Sequence, residues 1–278
     1  MRSVERDAWV ENRPSRGLRG PDLKELWQYR ELGGFLALRD LKVRYKQAVF
    51  GAAWAVFQPL AGVLVFTLVF RRLAKVPSDG IPYPLFAFAG LALWAYHAAS
   101  VARATQSLVG NAPLVTKVYF PRLLMPLAGV LPGLADLTLS LLTLGVLLVI
   151  YGTGPGWEVL TLPVWVGMLM ATSFGTGLWL SALNVQYRDV NQAIALFIQL
   201  WLFLSPVAYP SSMVGEGLRT VYALNPMVGV LEGFRWALLD GPGPTWSMLL
   251  ASTAVILVLL VSGLLYFQRT ERRFADVI

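Results

Sequence analysis

Residues 123–150 read LLMPLAGVLPGLADLTLSLLTLGVLLVI and carry a single charge, Asp136. A helix rises about 1.5 Å per residue, so this run can cross the roughly 30 Å hydrocarbon layer of a bilayer. Lipid offers no hydrogen-bonding partner, and a helix satisfies its own backbone within one segment. Outward from this stretch, further uncharged runs lie at 47–70, 80–102, 159–187, 190–215 and 241–268. The pattern predicts an all-α integral membrane protein with six transmembrane helices, near 50–70, 84–102, 123–150, 159–182, 192–210 and 246–267.

Composition agrees. Of 278 residues, 56% are apolar and only 14% charged, where a soluble domain carries about a quarter. Mean hydropathy is +0.59. There is no cysteine and the lone histidine is His97, which excludes disulfides, thiolate or histidine metal clusters and cysteine nucleophiles. No G-x-x-x-x-G-K-[ST] string is present, so ATP is not bound through a P-loop. No paired carboxylates are placed for glycosyl transfer. The chain reads as a passage or a scaffold, without cofactor or metal of its own.

Lysine and arginine set the orientation. Eighteen of them fall before the first span, in loops 103–122 and 183–191, and in the C-terminal tail; five fall in 71–83, 151–158 and 211–245. This predicts both termini in the cytoplasm and makes the +7 net charge topological, with no call for nucleic acid. Residues 1–20 hold five arginines but no apolar core, and are expected to be an Arg-rich extension and not a cleaved signal. Segment 21–49 is expected to be a cytoplasmic interface segment, 50–267 the membrane domain and 268–278 a cytoplasmic tail.

Within 22–47 the pattern suggests two amphipathic helices broken at Gly33-Gly34. Leu23, Leu26 and Trp27 mark one apolar face, and Phe35, Leu38, Leu41 and Tyr45 the next. Arg30, Arg39, Lys42, Arg44 and Lys46 interleave with them. Such a segment suits the headgroup plane, either as an anchor or as a collar for a partner or an anionic lipid head. Loop 103–122, with three basic residues and no acid, can form a short helix over Ser107–Val118, as a turn or a docking element. In 211–245, Asn225-Pro226 starts a helix that Gly241 to Pro244 stop, on or in the outer leaflet; a gate and plain packing are both open.

Asp136 shares a helical face with Pro132, Ser140 and Thr143, which should meet protein or water. The readings are a hydrogen bond to a neighbouring helix, for instance to Gln199 at similar depth, or a wet passage wall. His97 is expected near the cytoplasmic end of its span as a packing residue. Trp201, Phe203, Tyr209 and Trp236 fit either an interfacial aromatic belt or a lining on which sugar rings stack.

Five motifs carry a resemblance: RDLKVRYKQAVFGAAWAVFQPL (39–60), NAPLVTKVYFPRLLMPL (111–127), NVQYRDVNQ (184–192), LSPVAYP (204–210) and ERRFADVI (271–278). In this order they resemble the polysaccharide and polyol-phosphate export permeases of the ABC transporter superfamily, the type-2 permeases that export O antigen, capsule and teichoic acid. The resemblance spans all but residues 1–20. It implies a permease subunit of the bacterial inner membrane that pairs as a homodimer. Each copy would dock a separate ATPase subunit, which binds ATP and Mg, and the cargo would be a polyprenyl-diphosphate-linked glycan. Loop 103–122 would then hold the coupling helix, with Ser107, Asn111, Pro113, Lys117 and Arg122 at the contact. Arg39, Lys42, Arg44, Tyr45 and Lys46, with Arg188 and Asp189, would face lipid diphosphate at the membrane edge. Asp136, Ser140, Gln199, Trp201, Phe203 and Tyr209 are candidates to line the channel. Asn225, Leu231, Phe234 and Trp236 would belong to an outer gate. Rival readings are a small-molecule exporter on the same scaffold, an enzyme of polyprenyl lipids and a passive scaffold.

Overall fold

The computed structural model describes residues 23–46, 53–187 and 189–277. The Arg-rich residues 1–20 and Arg188 lie outside them. Among the described residues every regular element is helical. Two helices, α1 (Leu23–Gln28) and α2 (Arg30–Lys46), precede α3 (Ala53–Phe66), which runs on as a π-helix over Thr67–Leu73. Next come α4 (Tyr83–Gln106), α5 (Ala112–Lys117), α6 (Leu124–Val130), α7 (Gly133–Tyr151) and α8 (Leu162–Gln186). The chain ends through α9 (Val190–Phe203), α10 (Glu216–Tyr222), α11 (Pro226–Leu239) and α12 (Trp246–Val277).

Five stretches are long and apolar enough to cross a membrane: Val56–Leu73, Tyr83–Gln106, Leu124–Tyr151, Trp157–Gln186 and Trp246–Glu271. The apolar helix α9, Val190–Phe203, is shorter. The long helix α4 is the hub, packed against α3, α6, α7, α8, α9 and α11. Its Phe86, Phe88 and Leu93 are fully enclosed.

The expected break at Gly33-Gly34 is absent; the chain kinks at Tyr29, and α2 runs through both glycines. Glycine in a helix costs about 1 kcal/mol relative to alanine. Here the missing side chain lets α2 lie close on α6, since a Cβ on Gly33 would stand 3.3 Å from Leu124 Cδ2. Leu36, outside the anticipated apolar stripe, is the side chain α2 buries, while Phe35 and Leu38 stay exposed.

The last turn of α4 also differs from expectation. Arg103 belongs to the helix and not to the following loop. Its Nε donates to Gly129 O at 3.0 Å, so the charge enters the packed region with a partner. His97 lies nine residues before the end of α4, is fully buried, and meets Ser173 Oγ at 2.9 Å through Nδ1.

Candidate functional site

Helix α9 stops at Phe203 because Pro206 has no N–H and disfavours helical geometry at Ser205. At about 1.5 Å per residue its 14 residues span only about 21 Å. The remainder is the irregular segment 204–210. Irregular backbone at membrane depth must be buried in protein with its polar groups satisfied. Ser205, Val207 and Ala208 are buried. Asn225 Nδ2 donates to Leu204 O at 2.9 Å, Arg235 to Val207 O at 3.0 Å, and the Tyr83 hydroxyl to Ala208 O at 2.8 Å. The close approach of α4 depends on Gly90, where a Cβ would lie 2.8 Å from Val207 O.

Arg235 and Tyr83 had no distinguishing sequence signal. Arg235 is almost fully enclosed, 3.6 Å from Glu232 and stacked 3.5 Å from the centroid of the Phe86 ring. Glu232 Oε1 in turn accepts from Ser211 N at 3.3 Å. The i, i+3 spacing of Glu232 and Arg235 was readable, but their burial was not.

The residues assigned to an outer gate sit deep. Leu231 and Phe234 are fully buried core residues of α11, and Trp236 packs edge-on to Trp157 and Trp165. Asn225 caps α11, accepting from Met227 N at 3.1 Å, and receives Trp201 Nε1 at 2.9 Å. Tyr209 donates to Phe203 O at 2.9 Å and receives Tyr222 at 3.1 Å. Gln199 and Phe203 are on the exposed face of α9. Exposed apolar side chains in this region come instead from Leu218, Val221 and Leu224 in and after α10.

At the opposite end of α4, α2 forms a charged cluster. The Arg39 guanidinium holds Asp40 at 2.9 Å and also donates to Asn111 Oδ1 at 2.9 Å. Asn111 donates to Ser107 O at 2.8 Å, which braces the loop between α4 and α5. Further along α2, Arg44 and Tyr45 both bond the Asp136 carboxylate of α7. This corrects the expected pairing of Asp136 with Gln199. Helix α2 climbs the side of α6 and meets Asp136 before any residue of α9 does. Ser140, one turn on, is buried and donates back to Asp136 O at 3.0 Å. Tyr45 is pushed up to about 12, by burial first and then by the bond to Asp136, so it stays a donor. Lys42 and Lys46 are exposed. Asp189 starts α9 and is exposed, and Gln106 ties the end of α4 to Asn191 at 3.0 Å.

The loop 107–122 is held from three sides. Besides the Arg39–Asn111 bond, Tyr119 donates to Glu25 Oε1 of α1 at 3.1 Å. Arg122 donates to Glu271 O of α12, and its backbone N–H reaches Glu271 Oε1 at 3.3 Å. Val115 is buried under α5, while Pro113 and Lys117 are exposed. Of the five residues expected at a partner contact, Arg122 is bonded to α12, and Pro113 and Lys117 are exposed.

Residues 33–239 match the family model described as ABC-2 type transporter. The chain is 33% identical over 259 residues to the O-antigen export system permease protein RfbA of Myxococcus xanthus, covering 92% of this chain and 98% of the relative. A Klebsiella pneumoniae protein of the same name is 30% identical over 86% of this chain and 92% of its own. The polysialic acid transport protein KpsM of Escherichia coli is 22% identical over 74% of this chain and 80% of its own.

Proposed function

Because the chain belongs to the ABC-2 type transporter family, we propose that it is the permease subunit of an ATP-driven exporter of lipid-linked surface polysaccharide, of the O-antigen type. The observation that carries this reading is the full-length similarity to permeases named for O-antigen export. A glycan cannot cross hydrocarbon unaided, because each unpaired hydroxyl costs several kcal/mol there. A protein-lined passage removes that cost while the lipid tail stays in the bilayer.

In this reading the cargo moves from the inner to the outer face of the bacterial cytoplasmic membrane, with both termini inside, as the lysine and arginine bias indicates. Two copies share the passage. Hydrolysis belongs to a separate ATPase, which holds ATP and Mg. Its docking surface is α5 and the turn before it, with Pro113 and Lys117 outermost. The polyprenyl diphosphate meets the chain beside α2, where Lys42, Arg44 and Lys46 stand near the headgroup plane.

Depletion of the protein tests this directly. Loss of surface polymer with a growing pool of polyprenyl-linked glycan is expected. An unchanged pool with intact surface polymer overturns the reading in favour of a small-molecule exporter.

A further inference from the structure

We propose that Asp136 occupies an anion site formed by Arg44 and Tyr45, and that a phosphate of a membrane-borne diphosphate takes the site by displacing that carboxylate. This rests on the reading above that a lipid diphosphate meets the chain beside α2.

The cluster has the composition of an occupied anion pocket. Arg44 bonds one carboxylate oxygen of Asp136 and Tyr45 bonds the other. Arg103 lies within electrostatic reach of both Arg44 and Asp136, and spends its hydrogen bonds on Gly129 O and Ser100 Oγ. One guanidinium and a phenol therefore hold the carboxylate directly, while Arg103 acts on it only through space and also feels Asp40. A guanidinium has five N–H donors, and a phosphate offers more acceptor oxygens and more charge than a carboxylate. Arginine and phosphate also match in geometry as a fork.

Two details separate this site from a simple staple. Arg44 keeps 43% of its side chain exposed and Asp136 keeps 18%, so an anion can reach the pair from outside. Arg44 is the more open of the two, so an incoming anion meets the guanidinium before the carboxylate leaves it. Arg39, by contrast, is paired with Asp40 and bonded to Asn111, and makes no bond to Asp136. The expected collar of four basic residues thus resolves into one exchangeable pair, with Lys42 and Lys46 exposed on the same helix. Displacement of Asp136 frees the end of α2 from α7, while Arg39 still grips the loop 107–122 on the other side. Binding of the diphosphate at the membrane and movement of the loop are in this way mechanically joined.

The test uses the purified permease–ATPase complex in phosphatidylcholine nanodiscs, titrated with undecaprenyl diphosphate. The chain has no cysteine, so Val43→Cys and Thr138→Cys, both at exposed positions, accept spin labels that report the α2–α7 separation. Undecaprenyl diphosphate is expected to lengthen that distance. Asp136→Asn should bind the probe about tenfold more tightly and start from the longer distance; Arg44→Gln should bind it at least tenfold more weakly. If neither wild type nor Asp136→Asn binds the probe, the diphosphate reading falls and the exchange with it. If wild type binds but the distance does not change, the exchange alone is overturned, whether or not Asp136→Asn folds. Equal or weaker binding by a folded Asp136→Asn overturns it too. Inorganic pyrophosphate acting alone at the same concentration would overturn the lipid source. Phosphatidylglycerol acting equally well would overturn the preference for a diphosphate.

Discussion

Tyr45 donates its phenolic hydrogen to the carboxylate of Asp136, 91 positions later in the chain, and so fastens the end of α2 to the third span. The bond ties a residue of α2 to the acid of residues 123–150.

Its pH behaviour follows from the raised Tyr45 pKa of about 12, against an ordinary value near 10. The folded state favours the protonated phenol. The stabilisation is fully present below pH 10 and is lost as pH rises through about 12. In an ultraviolet titration, wild type minus Tyr45→Phe should show one tyrosine ionising near pH 12. A difference curve centred near pH 10 would contradict the burial and the bond.

The Arg39–Asn111 bond joins α2 to the loop braced by Ser107. A hydrogen bond to a charged group contributes about 1.5–3 kcal/mol, and Asn111→Ala removes it without touching exposed Pro113 or Lys117. The variant is expected to co-purify with the ATPase at wild-type level while cargo-stimulated hydrolysis drops by about tenfold. Loss of co-purification would instead put Asn111 in the docking surface itself.

Lys117 and Arg122 separate two roles that the sequence ran together. Lys117→Glu should abolish ATPase co-purification and leave the melting temperature of the isolated permease unchanged. Arg122→Glu places an acid beside Glu271 and should lower that temperature by several degrees, with partial recovery in the double variant carrying Glu271→Arg. An unchanged melting temperature in Arg122→Glu would deny the tie between the loop and α12 any structural weight.

Arg235→Met leaves Glu232 buried without its partner and Val207 O without its donor. Breaking a buried pair on one side costs about 3–5 kcal/mol, so the variant should fail to survive detergent extraction as a folded monodisperse species. Tyr83→Phe removes one donor from Ala208 O and should cost about 1–3 kcal/mol. Both are read by fluorescence-detected size exclusion across a temperature ramp, where Tyr83→Phe should melt between wild type and Arg235→Met.

Much of this architecture was legible in the chain. Helical spans follow from the arithmetic of apolar length, and α11 from Asn225-Pro226 with Gly241 to Pro244 behind it. Pro206 ends α9 for a local reason, but no local pattern says that Tyr83 and Arg235, more than a hundred residues apart, meet there. Gly33-Gly34 misled because glycine reads alike whether it ends a helix or lets another helix come near. Asp136 is legible as an acid that must face protein; its partner is not, because α2 packs on α6 and brings Arg44 and Tyr45 to it. Leu231 and Phe234 have the spacing of an amphipathic face, yet neighbours on all sides enclose them, which periodicity within one helix cannot reveal.

The irregular segment 204–210 has a consequence for biogenesis. Its carbonyls at Leu204, Val207 and Ala208 are covered by Asn225, Arg235 and Tyr83, two of which are translated after it. Until Asn225 and Arg235 are made, only the Tyr83 donor exists, and the carbonyls of Leu204 and Val207 have no cover in hydrocarbon. Helix α9 and segment 204–210 must therefore wait, in the translocon or at the aqueous boundary, until α11 is made, and the two are released into the bilayer together as one hairpin.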